Sequence, residues 1–310
     1  MELDKNRWGI IYCPKHSGRS PRKHRERLKR TLAEKNIGYD IVQSESEDSV
    51  ERLARMMINN GYKTIVVVGG DSAINDVVNC LMEIEPGQRA DISIGVIPNG
   101  TINDFCKFWQ LKDNDLAEAV DTIVRHRIRK VDVGCLHYKN KKGEDCHRHF
   151  INCVNIGLIA DIMNLKKQTR RFLGSQTLSF IVSAVLVIFH RLEYKMHLKI
   201  NYEEVRRKIM NVCIGSGPGY GQTPNAVPYN GLLDVSVVYH SELLQLLEGM
   251  WLLFTGRFLN HRSVHPYRTR RVDVVSASHA KVGVDGRLME TPEGELSITV
   301  DMEVINFIIP

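Results

Sequence analysis

Residues 65–71, Ile-Val-Val-Val-Gly-Gly-Asp, limit the possible folds of this chain more than any other stretch. Four β-branched apolar residues in a row read as a strand buried on both faces, the signature of a parallel sheet. Ile74, Val77, Val78 and Leu81 come next at i, i+3, i+4 and i+7, one stripe of a helix. Asp71 and Ser72 stand where that helix needs a cap. Gly69 and Gly70 let the backbone turn tightly and admit a ligand close to it. The helix start offers unpaired N–H groups and partial positive charge to an anion, so strand, glycine turn and helix together make a phosphate seat.

The same logic recurs at residues 97–105, Ile-Pro-Asn-Gly-Thr-Ile-Asn-Asp-Phe, where a short apolar run ends, a glycine turn succeeds it and Asn103-Asp104 opens a new helix. Thr101 offers a hydroxyl and an N–H to a phosphate there. Two such turns at neighbouring strand ends are far more specific than one, and neither is a Walker A loop. Strands at 8–13, 39–43, 65–69 and 92–97 alternate with helical patterns at 21–32 and 50–59 and after Asp71. That alternation predicts a doubly wound parallel α/β domain over residues 1–128, with ligands beyond the carboxyl ends of its strands. Three loops, at 14–17, 69–73 and 98–101, then meet at one crevice.

Near Val131 the pattern changes. Short strands at 131–134, 149–156, 197–202, 208–214, 233–239, 271–275, 281–284 and 296–300 are separated by turns, with two helical candidates at 178–190 and 241–258. The expectation for 129–302 is a mostly antiparallel β-sandwich domain, with the last strand, near 303–310, packing back on the first domain. The glycines of residues 215–221 do not make a dinucleotide fingerprint, because the chain after them is proline-rich rather than helical.

Composition narrows the function classes. The chain has 310 residues, 42 Lys and Arg against 36 Asp and Glu, and a net charge of +6, which suits an anionic partner such as a nucleotide or an acidic membrane surface. The seven cysteines are scattered without a C-x-x-C pair, as expected of free thiols in a reducing compartment. Cys135, His137, Cys146, His147 and His149 cluster in sequence, but their spacing fits no closed zinc pattern and reads as a polar hairpin. The N-terminus carries no apolar signal region, and the most apolar run, 178–189, falls short of the ~20 residues that cross a bilayer. A cytoplasmic location with peripheral membrane contact is expected.

These motifs together resemble the diacylglycerol kinase catalytic-domain family, which includes bacterial lipid kinases and sphingosine kinases. Gly69, Gly70, Asp71, Asn75 and, conservatively, Asp76 match its G-G-D-G-T-x-N-E loop, and Pro98, Gly100, Thr101, Asn103, Asp104 and Phe105 its P-x-G-T-x-N-D-F loop. Residues 13–18 resemble its N-P-x-x-G turn, residues 219–226 and 230–234 its glycine-rich, P-x-A and D-G-x-L-D segments, and Asp285-Gly286 its D-G-E motif. The resemblance implies transfer of the ATP γ-phosphoryl group to a lipid hydroxyl with Mg²⁺, diacylglycerol first and ceramide or a sphingoid base next. It places Gly69, Gly70, Asp71, Ser72, Asn75, Gly100 and Thr101 at the nucleotide, with Pro14, Lys15 and Ser17 nearby and Ser44 on the ribose side. Asp71 and Asp285 become the acidic candidates for metal-water binding and hydroxyl activation, and Asn230 and Leu232 the structural-metal ligands. Four positions depart from the pattern. Ser72 replaces a glycine, Ala73 a threonine, Asn230 an aspartate, and Arg287 the glutamate of D-G-E. An arginine cannot take up a proton at working pH. Two further readings therefore stand beside the lipid kinase: a non-catalytic nucleotide or lipid sensor of the same fold, and a soluble-substrate kinase of the NAD kinase kind, which shares a G-G-D-G turn.

For the lipid side, Lys166, Lys167, Arg170 and Arg171 form a basic stretch suited to an anionic surface, and residues 251–254 with 258–259 would line an acyl-chain opening. The expected partner is a lipid at a membrane surface, with no nucleic acid; self-association as a homodimer is left open.

Overall fold

The computed structural model describes residues 7–14, 20–46, 49–100, 102–113, 115–173, 193–239, 242–290 and 292–310, with the side chains of 166–173, 243 and 293 excepted. The helix expected at 178–190 lies outside them. Two compact units emerge, one formed by the chain up to Asp132 together with Glu303–Pro310, the other by Val133–Met302.

The first unit alternates strand and helix: β1 (Trp8–Tyr12), α1 (Pro21–Glu34), β2 (Tyr39–Gln43), α2 (Ser49–Asn59), β3 (Thr64–Gly69), α3 (Asp71–Met82), α4 (Pro86–Ala90), β4 (Ser93–Pro98), α5 (Asp104–Phe108) and α6 (Leu116–Arg125). β1 pairs in parallel with both β2 and β3, and β3 with β4, giving the order 4-3-1-2. All six residues of β3 and of β4 are buried, as a strand covered on both faces requires. Leu28 and Leu32 of α1 and Leu116, Val120 and Ile123 of α6 pack with Ile10, Val66, Val68 and Ile97 in one core. Phe307 and Asn306, near the chain end, pair in parallel with Ile94 and Ser93 on the free side of β4.

The second unit is antiparallel. It contains β5 (Ile128–Lys139, which begins in the first unit), β6 (Asp145–Phe150), β7 (Cys153–Gly157), α7 (Leu158–Leu173), β8 (Tyr194–Ile200), β9 (Glu203–Gly215), β10 (Leu233–Tyr239), α8 (Leu243–Phe254), β11 (Val264–Thr269), β12 (Arg271–Ala277), β13 (Val282–Val284), β14 (Arg287–Leu288) and β15 (Glu293–Ile308, which ends in the first unit from Glu303 on). β9 organises it. Its first half pairs with β8, and its second half pairs with β7 on one side and β10 on the other. Val154, Ile156, Leu198, Ile209, Val212, Ile214, Val235 and Val274 fill the core between these strands.

Several local expectations change. The strand expected at 149–156 is two strands, because Ile151 and Asn152 turn out of the ladder to meet Asp285. Periodicity does not predict α7 or β11, since α7 mixes apolar and basic residues and β11 carries Pro266. The two strands expected at 296–300 and 303–310 are one, β15, with a positive φ at Glu303. Glu303 N–H donates to the buried Asp132 carboxylate at 2.8 Å, which fixes the chain at that irregularity.

Candidate active site

Hydrogen bonds tie the carboxyl ends of β1, β3 and β4 to one another. Cys13 N–H donates to Val68 O at 2.8 Å, Asn99 N–H to Gly69 O at 2.9 Å, and Asn99 Nδ2 to Cys13 O at 2.9 Å. Ser44, buried after β2, joins through its N–H to Tyr12 O at 2.9 Å. Lys15, Ser17 and Thr101 lie outside the described residues, while Pro14 is partly buried at the end of β1.

The two glycine turns meet backbone to backbone. A Cβ added at Gly100 would stand 2.5 Å from the Gly70 Cα and 2.2 Å from Asn103 Oδ1, so neither turn has room for a side chain on that side. Asn103 adopts a left-handed conformation at φ 55°. Its Oδ1 accepts the Gly100 N–H at 3.0 Å, and its Nδ2 donates to Asp113 Oδ1 at 2.8 Å. We expect Gly100→Ala to lose about 1–3 kcal/mol through overpacking and to weaken nucleotide binding with it. Urea unfolding and titration with a fluorescent nucleotide check this.

Asp71 is not the cap of its own helix, which corrects the expectation from the sequence. α3 begins at Asp71 itself, and the residue at its N-cap is Gly70, in extended backbone. The Asp71 carboxylate instead crosses to the other turn, where Oδ2 accepts Asp104 N–H at 2.9 Å and Oδ1 accepts Phe105 N–H at 3.1 Å. A first-turn residue projects its side chain beyond its own helix start, and the close Gly70–Gly100 approach brings the α5 start within its reach. One acidic group therefore locks both candidate phosphate turns together. Ser72 is the second residue of α3, in right-handed helical backbone that carries a side chain without strain. Ala73 is buried, with its Cβ 3.0 Å from where a Cβ on Gly69 would stand. Asn75 is buried in α3 and accepts from Asn79 Nδ2 at its backbone oxygen (2.8 Å) and its Oδ1 (3.1 Å).

The second unit repeats the device. Asp285 sits at φ 43° in the turn after β13, and only 2% of its surface is exposed. Its carboxylate accepts three backbone N–H groups, from Ile151 at 2.7 Å, Asn152 at 3.0 Å and Cys153 at 2.8 Å. Ser216 and Gly217 N–H in turn donate to Asn152 O, which draws the glycine-rich segment onto the same turn. Residues 219–221 form a 3-10 turn and not a long helix, as the proline-rich continuation implies. Tyr220 brings its hydroxyl to Gly286, 2.9 Å from where a Cβ would stand. Beneath lies a buried amide cluster that sequence reasoning does not single out. Asn211 Nδ2 donates to Gln222 Oε1 at 2.8 Å, and Gln222 Nε2 donates to Asn155 Oδ1 at 3.0 Å. Asparagines inside strands carry no local signal of such a network. Asn230 is exposed, and its Oδ1 accepts the Leu232 N–H at 2.9 Å, closing an Asx turn at the two residues expected to serve a metal.

Residues 7–136 match the family profile of the diacylglycerol kinase catalytic domain, and residues 152–305 match the YegS C-terminal NAD kinase beta sandwich-like domain. The chain belongs to the diacylglycerol kinase catalytic-domain family.

Membership makes it a kinase. It is 24% identical over 300 residues to a diacylglycerol kinase of Staphylococcus carnosus (strain TM300), covering 92% of each chain. A crystal structure from Bacillus anthracis str. Sterne, of a protein provisionally identified as a diacylglycerol kinase, superposes with a TM-score of 0.74 at 17% identity, over 99% of this chain and 97% of that one. Yeast NADH kinase complexed with NADH superposes with a TM-score of 0.54 at 11% identity, over 99% and 84%. Both superpositions reflect the shared fold. The α/β unit and the β-sandwich are thus the two halves of this family's architecture. No helix among the described residues is long and apolar enough to cross a membrane.

Proposed function

We propose that this kinase transfers the γ-phosphoryl group of ATP to a lipid hydroxyl, with diacylglycerol the first acceptor to test and ceramide or a sphingoid base next. One observation carries the proposal: the Asp71 carboxylate spans the two glycine turns at their point of closest approach. ATP fits this cradle on chemical grounds. The first turn of α3 offers backbone N–H groups and partial positive charge to phosphate oxygens, and Gly70 and Gly100 keep side chains out of the way. Mg²⁺, held through Asp71, would neutralise charge on the phosphates. The lipid oxygen forms a bond to phosphorus, the bond to the β-phosphate oxygen breaks, ADP leaves, and the hydroxyl proton passes to a carboxylate. Of the two acidic candidates, Asp71 is only partly buried, so its carboxylate stays within reach of an ion or a substrate proton while it holds the α5 start. Asp285 is nearly sealed and takes three donors, a geometry suited to holding the substrate-side turn in shape.

The lipid side rests on α8. Leu244, Leu247, Trp251 and Phe254 fall at spacings of three and four along it and are all more than half exposed. An exposed apolar stripe with a tryptophan suits insertion into the boundary layer of a membrane. Leu252 and Leu253 are partly buried and Phe258 is buried, so residues expected to line one opening divide between surface and interior. The side chains of Lys166, Lys167, Arg170 and Arg171 lie outside the described residues. Changing Trp251 and Phe254 together to Glu is expected to abolish co-sedimentation with vesicles and cut transfer to vesicle lipid about 10-fold or more, since each buried aromatic side chain contributes ~1.5–3 kcal/mol. Transfer to a short-chain, dispersed acceptor should change little; equal loss on both acceptors would contradict membrane insertion.

Incubation of the purified chain with labelled ATP, Mg²⁺ and a lipid panel tests the proposal directly. Labelled phospholipid is the expected product, and the absence of transfer to every lipid hydroxyl would overturn it. Arg287, in the place of the family glutamate, favours a second reading in which the chain binds nucleotide or lipid without turnover. An inert protein that becomes active as Arg287→Glu would establish that reading.

A further inference from the structure

The β5–β6 hairpin carries a cluster that plays no part in the kinase motifs. Its register pairs Cys135 with His149 and His137 with His147. Side chains two apart on a strand share a face, so these four groups stand together. Leu136 and Phe150 occupy the opposite face, inside the core. Cys146 belongs with them, opposite Tyr138, and is thereby separated from the other candidates. The expectation of a mere polar hairpin misses this sorting, because linear spacing does not reveal register. It also misses Asp301, more than 150 positions away on β15 and brought to the hairpin by the pairing of β15 with β5.

The thiol of Cys135, a ring nitrogen of His149 and a carboxylate oxygen of Asp301 all lie within 4.8 Å of one another. His149 Nε2 is 3.9 Å from Asp301 Oδ2. Cys135 and His149 are buried, while the Asp301 side chain is 44% exposed. An ion at ~2.0–2.3 Å from each donor brings the donors to within about 3.3–3.7 Å of one another. The half-exposed Asp301 can close that gap by a rotamer change.

We propose that Cys135, His149 and Asp301 form a binding site for one Zn²⁺ ion. Thiolate, imidazole and carboxylate are a donor set that suits zinc better than Mg²⁺ or Ca²⁺, which take oxygen ligands. Three protein ligands leave a fourth position on the solvent side, for water or a rim histidine. His147 lies with its ring 5.2 Å from that of His149, and His137 Nε2 lies 3.2 Å from Thr299 Oγ1 on β15. Binding breaks the S–H bond of Cys135, forms the sulfur–zinc bond and releases one proton to solvent. In the metal-free protein burial, reinforced by the Asp301 charge, pushes the Cys135 thiol up to about 12. A buried thiol of that kind is a poor nucleophile, which argues against a Cys-His-Asp catalytic triad here. The charge of a bound cation reverses this balance.

The experiment strips the protein of metal and titrates it with Zn²⁺ alone against a chromogenic chelator, with Co²⁺ as a spectroscopic substitute. We expect one ion per chain, a raised melting temperature with Zn²⁺, and a thiolate-to-cobalt charge-transfer band. Cys135→Ser should remove the band, and Cys135→Ser and Asp301→Asn should each weaken Zn²⁺ binding about 100-fold or more, since even outer partners of a ligand are worth ~10–100-fold. Cys146→Ser, on the opposite face, should change neither. Asp301→Asn alters a half-exposed side chain, so it tests the site even if Cys135→Ser fails to fold. Absence of stoichiometric binding by the wild type, or a charge-transfer band kept in Cys135→Ser or lost in Cys146→Ser, would overturn the assignment. Kinase activity enters none of these readouts.

Discussion

Asp285→Ala is expected to destabilise the protein by about 3–5 kcal/mol. The substitution strands the N–H groups of Ile151, Asn152 and Cys153 in a buried turn, and each buried donor left unpaired costs ~1–3 kcal/mol. Set against a typical total of ~5–15 kcal/mol, that loss is large. Urea unfolding of wild type and variant measures it, and a difference below about 1 kcal/mol would show that the turn does not depend on this carboxylate. Asp285→Asn separates anchoring from chemistry. It keeps one acceptor oxygen and faces the remaining N–H with an amide donor, so it should recover only part of the stability. A residue that anchors the turn loses stability and activity together in this series. A residue that accepts the substrate proton would lose activity in Asn with stability kept.

Asp71→Ala is expected to reduce lipid phosphorylation about 10³-fold, within the ~10²–10⁴-fold range for loss of a positioned proton acceptor. The structural part should be smaller than for Asp285, because Asp71 accepts two backbone N–H groups rather than three and is itself only partly buried. Asp71→Asn is the sharper variant. Its amide oxygen still accepts one of the two N–H groups at the start of α5 and its NH₂ faces the other, while the negative charge and the proton-accepting oxygen are gone. Activity in Asp71→Asn close to that of wild type would remove Asp71 from the chemistry and leave it a structural strap. Nucleotide titration of the same variant, read alongside turnover, distinguishes weakened ATP binding from a slower chemical step.

These two expectations share a physical origin that the motifs do not reveal. In each unit a glycine-flanked aspartate reaches a backbone segment distant in sequence. Asp71 reaches Asp104 and Phe105, and Asp285 reaches Ile151 to Cys153. Reading Asp71 as a cap for α3 assumes that the nearest helix start is the one it serves. The contact between Gly70 and Gly100 makes a different helix start the closer one. Hydrogen-bond partners so far apart are chosen by strand order, which is a property of the assembled sheet.

Much of the architecture was nevertheless legible. The uninterrupted apolar run of β3 could be satisfied only by burial on both faces, and the stripe at Ile74, Val77, Val78 and Leu81 only by a helix lying on that sheet. The glycine positions were legible for the same reason, since close backbone approach excludes every other residue. Local alternation and turn chemistry thus determined the parallel α/β unit, the change to antiparallel strands near Val131 and the two turns of the candidate nucleotide site. Tertiary structure alone decided which groups those turns hold. It assigned the partners of Asp71 and Asp285, assembled Asn155, Asn211 and Gln222 into one amide cluster, and carried Asp301 to Cys135 and His149. Periodicity is written in neighbours a few residues apart, whereas a carboxylate finds its partners through register and strand order, which exist only once the sheet has formed.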